Sequence, residues 1–191
     1  MTRYEERLQT DLEELRRRIL AQGRAVLDAL HAAGRALLNA DTELGSLTIL
    51  RDHPINRETR AIDRLSHAFV ARHVPSAGHQ RFVSAVRRMN RELERIGDYA
   101  VTICREAVQL HERPPSALVP DIEELARSAH RALEQALQAF GERDAQLALT
   151  LEDRVAVGTG LGIADRAQHA LLHHRRHPVL KPLGLLVDLV P

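Results

Sequence analysis

Glu94 and Asp98 stand four residues apart in the run Asn90-Arg-Glu-Leu-Glu-Arg-Ile-Gly-Asp-Tyr-Ala-Val-Thr-Ile-Cys104. In a helix that spacing puts both carboxylates on one face, about one turn apart. A second set, Asp52, Asn56, Thr59 and Asp63, follows intervals of four, three and four, with Glu58 at its flank. Were the two helices neighbours in an antiparallel bundle, their stripes would gather several carboxylates and an amide oxygen. Oxygen-rich sets without thiolates suit hard or borderline cations, here magnesium, manganese, iron or zinc. The alternative for the same residues is a solvated face. With 28% of the chain charged, Arg60, Arg91 and Arg95 are at hand to pair with the acids.

Other chemistry is less well supported by the residues. His174 and His177 lie one turn apart, but Arg175 and Arg176 between them disfavour a cation, so they read as a solvated helix end. The run Gly158-Thr-Gly-Leu-Gly162 has neither a preceding strand nor a following Lys-Ser or Lys-Thr pair, which excludes the phosphate-loop and dinucleotide fingerprints. The single Cys104 falls among helical apolar positions and reads as a small core residue. A formal charge of +1 gives no nucleic-acid footprint. The basic triplet Arg16 to Arg18 reads as the polar face of a helix.

The elements that must position these residues are helices. Aromatics make up 3% of the chain and apolar residues 44%, mostly Ala, Leu, Val and Ile, which favours an all-α protein. Leu8, Leu12, Leu15, Ile19, Val26 and Leu30 form an amphipathic seam over residues 4 to 39, interrupted by Gln22. Asp41 caps a second helix, in which Pro54 predicts a kink or restart near residues 52 to 55. After Pro75-Ser-Ala-Gly78 a third helix is predicted over 79 to 112. Its seam is Phe82, Val86, Met89, Leu93, Ile96, Ala100, Ile103, Ala107 and Leu110. If that seam faces the core, Glu94 and Asp98 point outward.

Residues 113 to 120 hold three prolines and read as a linker. A fourth helix is expected to open with Asp121 as its cap and to end at Gly141-Glu-Arg-Asp144, with a fifth following at Leu147. The glycines at 158 to 162 predict a frayed end, and the apolar tail from Val179 needs a partner surface. Three units result: residues 1 to 112, the linker 113 to 120, and residues 121 to 191. Helix-turn-helix patterns on both sides of the linker suggest internal duplication. The charged N-terminus and the lack of a long apolar run predict a cytoplasmic protein.

The run Arg91-Glu-Leu-Glu-Arg-Ile-Gly-Asp-Tyr-Ala, preceded by Asn90, resembles the PhoU family of bacterial phosphate-signalling regulators. Asp52-His-Pro-Ile-Asn56 and Ala61-Ile-Asp63 resemble that family's second helix, and the likeness extends over residues 8 to about 155. It implies an antiparallel bundle with one complete three-helix repeat and a degenerate partial second repeat. In that family, acidic motifs on such repeats hold metal ions. Residue by residue, Glu94 and Asp98 take the third-helix motif and Asp52, Asn56 and Asp63 the second-helix positions. Thr59 stands where the family's second-helix acid is expected, leaving Glu58 as a substitute. The expected acids of a second repeat are replaced by Val157 and Thr159, and no second Glu-Arg-Ile-Gly-Asp follows.

The resemblance implies recognition without catalysis. The implied partners are a phosphate transporter ATPase and a membrane sensor kinase, met at the inner membrane face, with a homodimer covering the apolar groove of an incomplete repeat. Two other readings remain. One is a structural or interaction bundle that has lost metal binding. The other is a carboxylate-bridged metalloenzyme, which is disfavoured because neither Glu94 nor Asp98 is followed by the Glu-x-x-His spacing of such sites.

Overall fold

The computed structural model describes residues 2–110 and 112–156, all of whose regular structure is α-helical. Helix α1 (Arg3–Asn39) starts at a capping box: the Glu5 N–H donates to Thr2 Oγ1 at 3.3 Å and the Thr2 N–H to Glu5 Oε2 at 2.8 Å. Two backbone donors of the first turn are thereby satisfied. The chain reverses at Ala40, in the left-handed region with φ 53. Asp41 then caps α2 (Thr42–Arg72) by accepting the Leu44 N–H at 2.9 Å. Helices α3 (Ala77–Leu110), α4 (Val119–Glu142) and α5 (Ala145–Ala156) follow.

Helix α1 is the shared partner. It packs against α2, α3 and α4, while α2 and α3 also pack on each other. One core cluster joins Leu30 and Leu37 of α1 to Ile103 and Cys104 of α3 and Ile122 and Leu125 of α4. The other joins Leu15, Ile19 and Val26 to Ile62 and Phe69 of α2, Val86 and Leu93 of α3, and Leu133 and Leu137 of α4. Each fully buried Leu or Ile stabilises the fold by roughly 1.5–3 kcal/mol relative to exposure. Helix α4 thus shares its core with the first three helices. It is seated at Gly23, where a Cβ would lie 2.2 Å from Leu137 Cδ2, so only glycine lets Leu137 lie flat against α1.

Three local expectations need correction. Helix α2 runs through Pro54 without a restart. Pro54 is exposed, and Leu50, whose carbonyl loses its helical donor to the proline, is 72% exposed, so solvent reaches that turn. Asp121 is not the cap of α4: the helix begins two residues earlier, after Leu118, with Pro120 in its first turn. Asp121 instead adds its charge to that turn, where the helix dipole favours it.

The buried stripe of α3 coincides with its apolar seam at Val86, Leu93, Ala100, Ile103 and Ala107 and departs from it elsewhere. Val83, Asn90, Gly97, Val101 and Cys104 are buried, whereas Phe82, Met89, Ile96 and Leu110 are only half-buried. Two neighbours, α1 and α2, flank α3, so small and polar residues occupy the crowded line between them and bulky side chains fill its margins. At the far end, Arg143 adopts φ 58 and Asp144 caps α5, accepting the Gln146 and Leu147 N–H groups at 2.9 and 3.0 Å. The expectations for the glycine run, the His173–His177 group and the apolar tail lie outside the described residues.

Candidate functional site

The α2/α3 face carries the residues singled out by their spacing, and the structure sorts them into three levels. At the first level Asp52 of α2 lies against Gly97 of α3: a Cβ on that glycine would be 4.0 Å from Asp52 Oδ1. Asn56, one turn on, donates its amide N–H to Asp52 Oδ2. Burial, and after it the charge of Asp98, push the Asp52 carboxyl above the ordinary carboxylate range. Arg105, the Asn56 hydrogen bond and His53 act in the opposite direction. Asp52 and Asn56 are thus joined on α2, and the charge of Asp98 on α3 acts on Asp52. Glu94 is half-buried rather than fully outward, and only Asp98 of the pair is exposed.

The second level is inside the core. Thr59 is buried, its hydroxyl accepting from Gln22 Nε2 of α1 at 2.6 Å and donating to the Ile55 carbonyl at 3.2 Å. Asn90 of α3 donates to the Thr59 carbonyl at 3.0 Å. One residue of α2 thus ties together all three helices of the first bundle. The amide oxygens of the same two side chains, Gln22 Oε1 and Asn90 Oδ1, are enclosed without a hydrogen-bond partner among the described residues. Gln22 stood out only as a break in the α1 seam, and Asn90 only as the start of a motif. That three polar residues interrupt the apolar faces of three successive helices is the signal that would have joined them.

The third level is a groove of about 330 Å³ between α2 and α3, lined by Thr59, Arg60 and Asp63 from one helix and Arg87, Asn90, Arg91 and Glu94 from the other. Asp63 meets Arg87 at 3.6 Å. Glu58 is elsewhere: it accepts from Arg18 of α1 at 2.9 Å. It is therefore not positioned to replace Thr59 beside Glu94, and Thr59 itself belongs to the core. Arg95 pairs with Glu92 at 3.4 Å rather than with Glu94 or Asp98. Among the described residues, no group of three or more His, Cys, Asp or Glu side chains is placed to hold a metal ion together. Cys104 is buried in the core, where burial pushes its thiol up to about 11. Among the described residues, no helix is long and apolar enough to cross a membrane.

This sequence resembles a phosphate-specific transport system accessory protein PhoU of Serratia marcescens, with 33% identity over 141 residues. The match takes in 74% of this chain and 58% of that protein. A PhoU homolog of Streptococcus pneumoniae is 32% identical over 147 residues, covering 75% of this chain and 67% of the relative. The chain belongs to the PhoU family. The PhoU domain itself matches residues 19–107, which include all six candidate residues, Asp52, Asn56, Glu58, Asp63, Glu94 and Asp98. The fold agrees with the crystal structure of PhoU from Pseudomonas aeruginosa at a TM-score of 0.80 and 26% identity, over 95% of this chain and 92% of that one. PhoU relatives are described as an accessory protein of the phosphate-specific transport system and as a phosphate transport system regulatory protein. The chain spans between half and two thirds of the length of most of the curated PhoU relatives it matches.

Proposed function

We propose that this protein regulates a phosphate transport system by contacts between its helical faces and other proteins, as its relatives' description as transport accessory proteins supports. The observation that carries the reading is the continuous match of α1 to α3 to the PhoU domain. The implied partners are the transporter ATPase and a membrane sensor kinase, which would bring the protein to the inner membrane face from the cytoplasm. Self-association belongs to the same reading, and the exposed Leu47, Leu50 and Pro54 along α2 offer it an apolar surface. The test is complementation. Expressed in a bacterium lacking its own PhoU, the chain should restore repression of a phosphate-starvation reporter in high phosphate. Full derepression with the protein present at normal levels would overturn the reading.

Metal binding in the first repeat is a second, finer part of the proposal. Asp52 and Asp98 supply two carboxylates and Asn56 an amide oxygen left open by its hydrogen bond to Asp52. This donor set suits magnesium, manganese, iron or zinc only with water or a partner's groups completing the shell, since protein-only cages of such cations use more oxygens. A bound cation would relieve the repulsion between the two carboxylates. Glu94 and Asp63 sit with the arginines of the groove, and Glu58 with Arg18. The rival favoured by that arrangement is a bundle that keeps the PhoU scaffold without a metal cluster.

A further inference from the structure

Arg60, Arg87 and Arg91 converge from two helices on the same concave groove of about 330 Å³. Among the described residues only one of the three is engaged, and loosely, by Asp63 at 3.6 Å from Arg87. Arg60 and Arg91 have no ion-pair partner among the described residues, and Glu94 is the one remaining carboxylate on the wall. Three guanidinium groups against two carboxylates leave the cavity cationic. Guanidinium groups present planar forks of donors that match the oxygens of phosphate and similar ions. The lining adds an independent feature: Asn90 is 2% exposed and its amide oxygen lacks a donor among the described residues. A water, or the protonated oxygen of an oxyanion seated above it, supplies what that oxygen lacks.

We infer that the α2/α3 groove is a binding site for a small tetrahedral oxyanion, held by Arg60 and Arg91 with Arg87 as a third donor. The cavity lies within the size range of small-ligand pockets and is too narrow to take a folded partner. This site is distinct from the Asp52, Asn56 and Asp98 level and does not depend on the regulatory reading. Its chemistry fits either free phosphate or a phosphorylated side chain.

The experiment is calorimetric titration of the full chain, stripped of metal by chelation, with inorganic phosphate and with O-phosphoserine at constant ionic strength. Saturable binding of either one beyond a matched chloride control is expected, the tighter of the two identifying the source. Arg60→Gln with Arg91→Gln should weaken that binding roughly tenfold or more, while Arg95→Gln, outside the groove, should leave it unchanged. Circular dichroism establishes that the variants keep their helices. Should the double variant misfold, Arg91→Lys replaces it, because the charge remains while the fork is lost. Heats equal to chloride for both probes, or unchanged affinity in a folded groove variant, would overturn the assignment.

Discussion

The Asn90 amide nitrogen donates to the Thr59 carbonyl at 3.0 Å, joining α3 to α2 from within the core. A buried hydrogen bond of this kind contributes about 1 kcal/mol, and removing its donor also leaves a small cavity. Asn90→Ala should therefore destabilise the protein by about 1–3 kcal/mol in urea unfolding. Thr59→Val, which removes the hydroxyl that Gln22 reaches, is expected to cost a similar amount. A stability for Asn90→Ala equal to that of the parent would mean that the polar tie is replaceable by packing alone.

Asp52 gives a pH dependence with a defined sign. Its folded carboxyl binds a proton more readily than the ordinary group does, mainly through burial and then through Asp98. As pH rises through the interval above 3.8, the unfolded chain loses that proton first and stability declines, and the penalty persists at neutral pH. Asp52→Asn should remove it, raising Tm by roughly 1–2 °C at pH 7 and having no such effect at pH 3. A lower Tm at pH 7 in metal-free protein would contradict this account.

The same substitution separates the metal reading from the scaffold reading. If a cation is held at this level, purified protein should carry iron, manganese, magnesium or zinc, and Asp52→Asn combined with Asp98→Asn should lose it. Elemental analysis by plasma mass spectrometry reads this directly. Equal, near-zero metal in both proteins would leave a bundle that acts through its surface alone.

Gly23 and Leu137 test the seat of α4. Gly23→Ala forces a Cβ into the Leu137 side chain, which must leave its position, at a cost of about 1–3 kcal/mol. In Gly23→Ala with Leu137→Ala the clash is gone, so the two effects should be strongly non-additive. Additive losses in denaturant melts would show that α4 shifts freely.

Cys104 should be inert. With its thiol held up to about 11 by burial, little thiolate forms near pH 8, and a disulfide reagent should react only after unfolding. The unfolded thiol ionises near 9.0, so this group lowers stability as pH climbs past that value. Rapid labelling of native protein would contradict the buried placement.

The outline of the fold was legible from periodicity and caps. The α1 limits, the Asp41 cap and the break near Pro75 follow from local rules that the structure keeps. What was not legible depends on neighbours. Pro54 is tolerated because its turn faces solvent, and Asn90 and Gly97 are buried because α1 and α2 crowd α3 from two sides. Spacing alone put Asp52 and Asn56 on one stripe of α2, where the Asn56 amide reaches the Asp52 carboxylate. It could not show that Thr59 turns into the core or that Arg18 draws Glu58 toward α1, because both depend on side chains more than thirty positions away.

Gln22 and Gly23 are consecutive residues of α1, yet the first grips α2 through Thr59 and the second receives α4 through Leu137. Two separate helices are therefore registered against a single turn of a third. The turn of α1 that receives Leu137 is the turn that reaches Thr59, and Thr59 lies on the wall of the arginine groove. The seat of α4 and the lining of the groove thus meet at two adjacent residues of α1.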